Sequence, residues 1–398
     1  MVDSDQLEND PFFRVPTDSD WNACIGKQGT EENYLDGYIE AAMELVTTVI
    51  EKKMLGKRDT VVLPVLYNAR HAIELILKFA INRMAAIGVV SSPGRQDHNI
   101  KNYLELLERA DLGDEAIRKH VCDLKPFVES LSRIDADGQG LRYHIRRDGN
   151  QSLSDYSLAN LEVIRDALTN LSQVISALRY RIERFIDERP TQAYTKRLSR
   201  RDLMSIAGTL PTIDRWKRLL FEAKKWRVQA RYNLTNAQFC EAINVITNNR
   251  EMKALVGGET SLLYLPDHII LSVVEQWRKL HPRRAGGEPS AIEKWDLPTI
   301  DEMTEHYRIQ AEVVSALHTC LTDQQLAELE AVCSLGRHGG FPESHEHRVE
   351  HTRKRHEIEA DARKQITDLI NKTNVLDALV KAIRRLGRPS LADRLSKM

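Results

Sequence analysis

An arginine, a histidine and a carboxylate within about one helical turn can hold a phosphate and move a proton. Arg70, His71, Glu74 and Lys78 stand in that relation in VVLPVLYNARHAIELILKFAI, from Val61 to Ile81. Arg70, Glu74 and Lys78 are four residues apart, so on a helix they share one face and can form an ion-pair ladder. An exposed ladder contributes only about 0.3–0.5 kcal/mol per pair. The sharper reading buries Glu74 in a network that orients His71 or Arg142. His98, just ahead of a short helix, reads as a cap or a satisfied core residue more readily than as a catalytic group.

A second constellation lies in DGQGLRYHIRRDGN, Asp137 to Asn150, where Arg142, His144, Arg146 and Arg147 are bounded by glycines. It reads as a phosphate-binding loop with His144 as general acid or base, or as a solvated charged loop. Tyr143 can stack on a base or anchor the loop.

A third is the strongly basic stretch from Lys196 to Arg231, whose acids are Asp202, Asp214 and Glu222. Arg200, Arg201, Lys217, Arg218, Lys224 and Lys225 are its candidate nucleic-acid contacts. Such cations release counterions from phosphates, and the interleaved Trp216, Trp226 and Tyr232 can stack on unpaired bases. The competing reading is a basic amphipathic helix with its aromatics in the core, which the ten-residue Trp216–Trp226 spacing favours.

His338, His345, His347, His351 and His356 cluster late in the chain, and His347 and His351 are one turn apart. HEHRVEH is not the HExxH pattern of zinc enzymes, and neighbouring Arg and Lys repel a cation. No metal and no cofactor is expected. Phosphate-loop, dinucleotide-binding and nucleophile-elbow motifs do not occur.

The elements that must position these groups read as helices. Of 398 residues, 42% are hydrophobic and 29% charged, which suits a globular chain. Lys plus Arg total 57 against 58 Asp plus Glu, so global charge argues for neither nucleic acid nor membrane. The five cysteines are scattered, with no CxxC pair, and read as reduced thiols. The acidic start is unlike a signal peptide, and no apolar run approaches the ~20 residues of a membrane helix. A cytoplasmic protein without membrane contact is therefore expected.

Helical spacing predicts a helix behind Thr30 with an apolar stripe Tyr34, Tyr38, Ala42, Leu45 and Val49. A second follows Thr60 and stops near Gly88; a third covers Ile100 to Leu107; a fourth carries Ile117 to Leu131, with Pro126 inside. From Leu161 to Phe185 a heptad seam predicts a long helix in a bundle or across a dimer. TQAYTKRLSRR reads as a linker. Capping boxes at Thr235/Gln238, Thr299/Glu302 and Thr322/Gln325 each open a helix. A last long helix is expected from about Glu346 to Leu386. The fold class is all-α, with at most a short hairpin near Leu141 to Ile145. The expected domains are 1–190 and 191–398.

Together NYLDGYIEAAMELV, ARHAIELILK, DHNIKNYLELLE and LRYHIRRDGN, over roughly residues 30 to 186, resemble the HEPN superfamily of bacterial defence and toxin-type helical proteins. LAELEAVCSLGRHGGFPESHE, Leu326 to Glu346, resembles the tail of some of them. The resemblance implies a four- or five-helix bundle that dimerises and acts on RNA, in many cases as a metal-independent endoribonuclease. It also implies a partner protein from a defence system. The family pattern is an Arg followed about four to six residues later by a His, the imidazole working on the ribose 2′-hydroxyl and the Arg on phosphate charge. No His here has an Arg at that distance. The expected catalytic set is therefore Arg142, His144, His71 and Glu74, with Arg70, Arg146 and Arg147 on phosphate. The alternative is a non-catalytic scaffold or adaptor that dimerises and binds a protein or nucleic acid.

Overall fold

The computed structural model describes residues 10–13, 20–91, 97–146, 149–217, 219–282, 299–359 and 361–398. Arg147 and Arg218 lie outside the described residues. Among them are sixteen α-helices and no β-strand, so the fold is all-α. The expected hairpin reduces to a single antiparallel bridge between Ile145 and Gln151. The chain divides into two compact units, Met1–Leu112 with Ala116–Arg184, and Gly113–Glu115 with Phe185–Met398.

In the first unit α1 (Glu31–Glu51) opens with a capping box between Thr30 and Asn33 and packs along α2 (Arg58–Ala86). Its buried face is Leu35, Ile39, Ala42, Val46 and Val49. Tyr34 and Leu45, expected inside, are exposed, because the buried stripe is rotated by about one residue. α3 (Ile100–Arg109) starts at Asn99, whose side chain accepts from the Lys101 and Asn102 amides. α4 (Glu115–Ile134) accommodates Pro126. In α5 (Leu161–Glu188) the seam residues Leu168, Leu171, Ile175, Leu178 and Ile182 are buried within this single chain. The seam is thus a bundle seam. Arg179 ties α5 to α1 by donating from Nη1 to both Asp36 oxygens, at 2.9 and 2.8 Å.

α2 is long enough and, averaged over a window, apolar enough to cross a membrane, although Arg70, Glu74 and Lys78 interrupt any continuous apolar run. Its buried face carries Arg70 and Glu74, both 2% exposed, and these charges pair with groups from elsewhere in the unit. Such pairing suits a core helix, since an ion pair facing lipid would be costly.

The second unit has two apolar clusters. α6 (Arg200–Thr209), α7 (Leu219–Tyr232), α8 (Asn236–Asn248) and α9 (Arg250–Leu255) surround Leu203, Ile206, Phe239 and Ile246. The segment read as a linker belongs to this cluster: Ala193 and Leu198 are buried in it. α10 (Asp267–Leu280), α11 (Ile300–Cys320), α12 (Asp323–His338), α14 (Ala362–Ile370), α15 (Val375–Arg385) and α16 (Pro389–Leu395) build the other around Trp277, Leu329, Leu379 and Leu391. The expected long C-terminal helix is broken into α13 (His345–Glu359), α14 and α15. All three expected capping boxes, at Thr235, Thr299 and Thr322, are formed. At Gly336 a Cβ would collide with the Ala378 carbonyl, so α12 and α15 touch backbone to backbone.

Candidate functional site

The Arg70–Glu74 face of α2 turns inward. Arg70 Nε donates to the Asp135 carbonyl at 2.8 Å, and Nη2 to the His98 carbonyl at 2.6 Å. Nη1 lies 3.2 Å from Glu74 Oε2, and Nε lies 3.6 Å from the Asp135 carboxylate. Every guanidinium nitrogen is engaged, so Arg70 is a keystone of the fold and not the expected phosphate ligand. Asp135 repeats the pattern, accepting the Gly140 amide at 2.8 Å and the Leu141 amide at 3.3 Å. Gly138 crosses directly over Arg70 at φ +79, and a Cβ there would press on Nη1. This lattice fixes the loop that carries Arg142.

Glu74 is buried as the sharper reading required, but its partners differ. Oε1 accepts from Lys78 Nζ at 2.7 Å and lies 2.9 Å from His98 Nδ1. Burial opposes its ionisation, yet the hydrogen bonds from Lys78 and His98 outweigh burial and hold its carboxyl below the usual range. Glu74 orients His98, and neither His71 nor Arg142. The His98 side chain is 64% exposed, so a carboxylate-oriented imidazole stands at the surface. His98 is neither the cap nor the core residue that its sequence position favours over a catalytic group; the cap is its neighbour Asn99.

His71 is half-buried between two rings, edge-on to Tyr38 at 4.3 Å and parallel to Tyr67 at 6.0 Å. Burial lowers its pKa, with Glu74 opposing and Lys78 and Arg70 reinforcing the shift. Arg142 is exposed and lies 5.8 Å from the Tyr67 ring and 5.5 Å from the Tyr143 ring. Its Nε donates to the Gly138 carbonyl at 2.6 Å. Tyr67 therefore links His71 to Arg142, a residue no spacing rule singled out.

His144 is exposed, and among the described residues only its carbonyl is engaged, by the Ser152 amide at 2.8 Å. Among the described residues no hydrogen bond, ion pair or ring contact joins it to His71 or Arg142. The catalytic set read from the sequence thus separates: Arg142 and His71 share a ring, Glu74 serves His98, and His144 stands apart. Arg146 is exposed and reaches the Ile134 carbonyl at 3.5 Å.

The basic stretch is partly consumed by folding. Arg200 is buried, bound to Glu343 at 2.8 and 3.2 Å and to Glu251, with Phe341 beneath it. It is not open to a phosphate. Lys225 is half-buried, 3.8 Å from Glu222 and over the Phe239 ring. Lys224 is half-buried, and Arg201 and Lys217 are exposed. Trp216 stacks on Phe221 at 5.3 Å, as the core reading held, whereas Trp226 is exposed.

Of the late histidines, His345 is buried on Glu328 at 2.8 Å and His356 bonds Glu330 at 2.7 Å. Among the described residues no group of His, Cys, Asp and Glu is arranged to hold a metal ion. Comparison of the chain with protein-family models, curated proteins and solved structures found no match.

Proposed function

We propose that the first unit is a HEPN-like module that acts on RNA through the face carrying Arg142, Tyr67, Tyr143 and His98. One observation carries this reading: the buried Glu74 carboxylate holds Nδ1 of the exposed His98 ring at 2.9 Å, on the lattice that anchors the Arg142 loop. A carboxylate-oriented imidazole is a general base, a stacked arginine is a phosphate ligand, and Tyr143, 54% exposed, offers a base a stacking surface.

In a metal-independent endoribonuclease of this design His98 takes the ribose 2′-hydroxyl proton. The 2′-oxygen then bonds to phosphorus, the bond to the 5′-oxygen breaks, and a 2′,3′-cyclic phosphate remains. The leaving oxygen takes a proton, from His71 or from solvent. Arg142 offsets the phosphorane charge. The defence or toxin role, the homodimer, the partner protein and the cytoplasmic setting rest on the sequence resemblance alone.

The second reading is a non-catalytic RNA or protein binder. The separation of His144 from His71 and Arg142 favours it. Incubating wild type, His98→Ala and Arg142→Ala with single-stranded RNA in EDTA separates the two. Cleavage by wild type alone supports the nuclease. RNA binding without any cleavage supports an RNA binder, and neither binding nor cleavage by wild type overturns both RNA readings and leaves the protein binder.

A further inference from the structure

The second unit holds a cavity of about 610 Å³ that no part of the RNA reading uses. That volume falls in the ~300–1,000 Å³ range of small-molecule sites. Its wall includes Arg250 and Lys253 of α9, three residues apart and so on one helix face, and His345 at the start of α13.

The hydrogen bonding of this wall is incomplete in one direction. Arg250 Nη2 reaches the Ser261 carbonyl at 3.3 Å, but the enclosed Nη1 has no hydrogen-bond partner among the described residues. Burial lowers the Arg250 pKa against the opposing pull of Glu328 and Glu346, so no acid compensates its desolvation fully. Lys253 has neither an ion pair nor a side-chain hydrogen bond among the described residues. His345, 1% exposed, uses Nε2 on Glu328 and leaves Nδ1 enclosed without a partner.

The nearby acids are already committed. Glu328 accepts three backbone amides, from Leu263, Tyr264 and Leu265, at 2.8, 2.6 and 2.9 Å. Glu343 is held by Arg200 and by Asn249 Nδ2 at 2.6 Å. Glu346, exposed at the cavity, makes no hydrogen bond or ion pair among the described residues. Arg250 is half-buried, and its enclosed Nη1 is costly to leave unmet unless an anion answers it. The wall thus offers two cations with unmet donors and a buried imidazole, which a multi-acceptor, tetrahedral anion with a protonated oxygen can answer.

We propose that this cavity binds a phosphate group, free or as a phosphomonoester, between Arg250 and Lys253, with His345 Nδ1 facing a phosphate hydroxyl. The site is independent of the Arg142 face.

Calorimetric titration of the full chain with inorganic phosphate, and separately with ribose 5-phosphate, in low-salt buffer tests this. Saturable binding of either is expected, and tighter binding of ribose 5-phosphate identifies the monoester as the preferred form. Lys253→Gln and Arg250→Gln should each weaken it at least about tenfold. Lys253→Gln keeps the Cγ and Cδ carbons that pack over Gly258, so this variant remains informative if Arg250→Gln unfolds. Arg142→Ala should bind as wild type does. Absence of saturable binding overturns the proposal, as does unchanged affinity in Lys253→Gln. Loss of binding in Arg142→Ala also overturns it, by moving the phosphate to the first unit.

Discussion

Arg70 and Asp135 meet twice, once through the Asp135 carbonyl at 2.8 Å and once through its carboxylate at 3.6 Å, and so close a stretch of sixty-five residues onto α2. Removing the guanidinium leaves two buried carboxylates, Glu74 and Asp135, without their shared cation. Arg70→Ala should therefore cost about 3–5 kcal/mol of stability. Chemical denaturation measures this, and a loss below about 1 kcal/mol would contradict a keystone role.

Glu328 plays the corresponding part in the second unit, binding three consecutive backbone amides and His345. Burial opposes its ionisation, but these hydrogen bonds prevail and hold its pKa below the ordinary 4.5. Its stabilisation is present above that value and is lost as pH falls through the lower folded pKa. Glu328→Ala should cost upwards of ~3 kcal/mol at pH 7, since several buried donors lose their acceptor. The difference from wild type should shrink on acidification below about pH 4. A pH-independent difference would show that the carboxylate charge is immaterial.

Asp202 behaves oppositely. Burial, then the charge of Asp114, pushes its pKa from 3.8 up to about 6. An acid whose folded pKa is raised gives a penalty that is absent below its unfolded value and complete above its folded one. Asp202→Asn keeps an oxygen for the Glu115 and Ser199 amides, at 3.0 and 3.2 Å in wild type. Its melting temperature relative to wild type should rise between pH 4 and pH 7. A constant difference across that window would remove the buried-acid account.

Gly336 has no room for a side chain against the Ala378 backbone. Gly336→Ala should destabilise the second unit by several kcal/mol although alanine has the better helix propensity by about 1 kcal/mol. A neutral or stabilising effect, read by thermal melting, would mean that α12 and α15 are not in backbone contact.

Local signals in the sequence predicted local structure well. Thr235, Thr299 and Thr322 each sit three residues before a Gln or Glu, and that geometry needs nothing from the rest of the chain. The α5 seam was legible because its period persists over Leu168, Leu171, Ile175, Leu178 and Ile182. The Arg70–Glu74 pair was legible as a pair, and burial of Glu74 as one of two readings, but its partners Asp135 and His98 were not, because their distance along the chain leaves no periodic trace. His98 looked like a cap since it precedes α3 by two residues. Leu198 looked like linker because the surrounding Lys and Arg mask the two apolar residues, Ala193 and Leu198, that enter the core. Arg200 misled for the same reason: its partners Glu251 and Glu343 are far away in sequence.

The central claim is that the Arg142 face meets RNA. It is tested most directly by fluorescence-anisotropy titration of a labelled single-stranded RNA with wild type and Arg142→Ala across a salt series in EDTA. The account predicts affinity about tenfold weaker for the variant, with a salt dependence shallower by about one counterion. Equal affinities and equal salt slopes, in a variant that melts as wild type does, would contradict it.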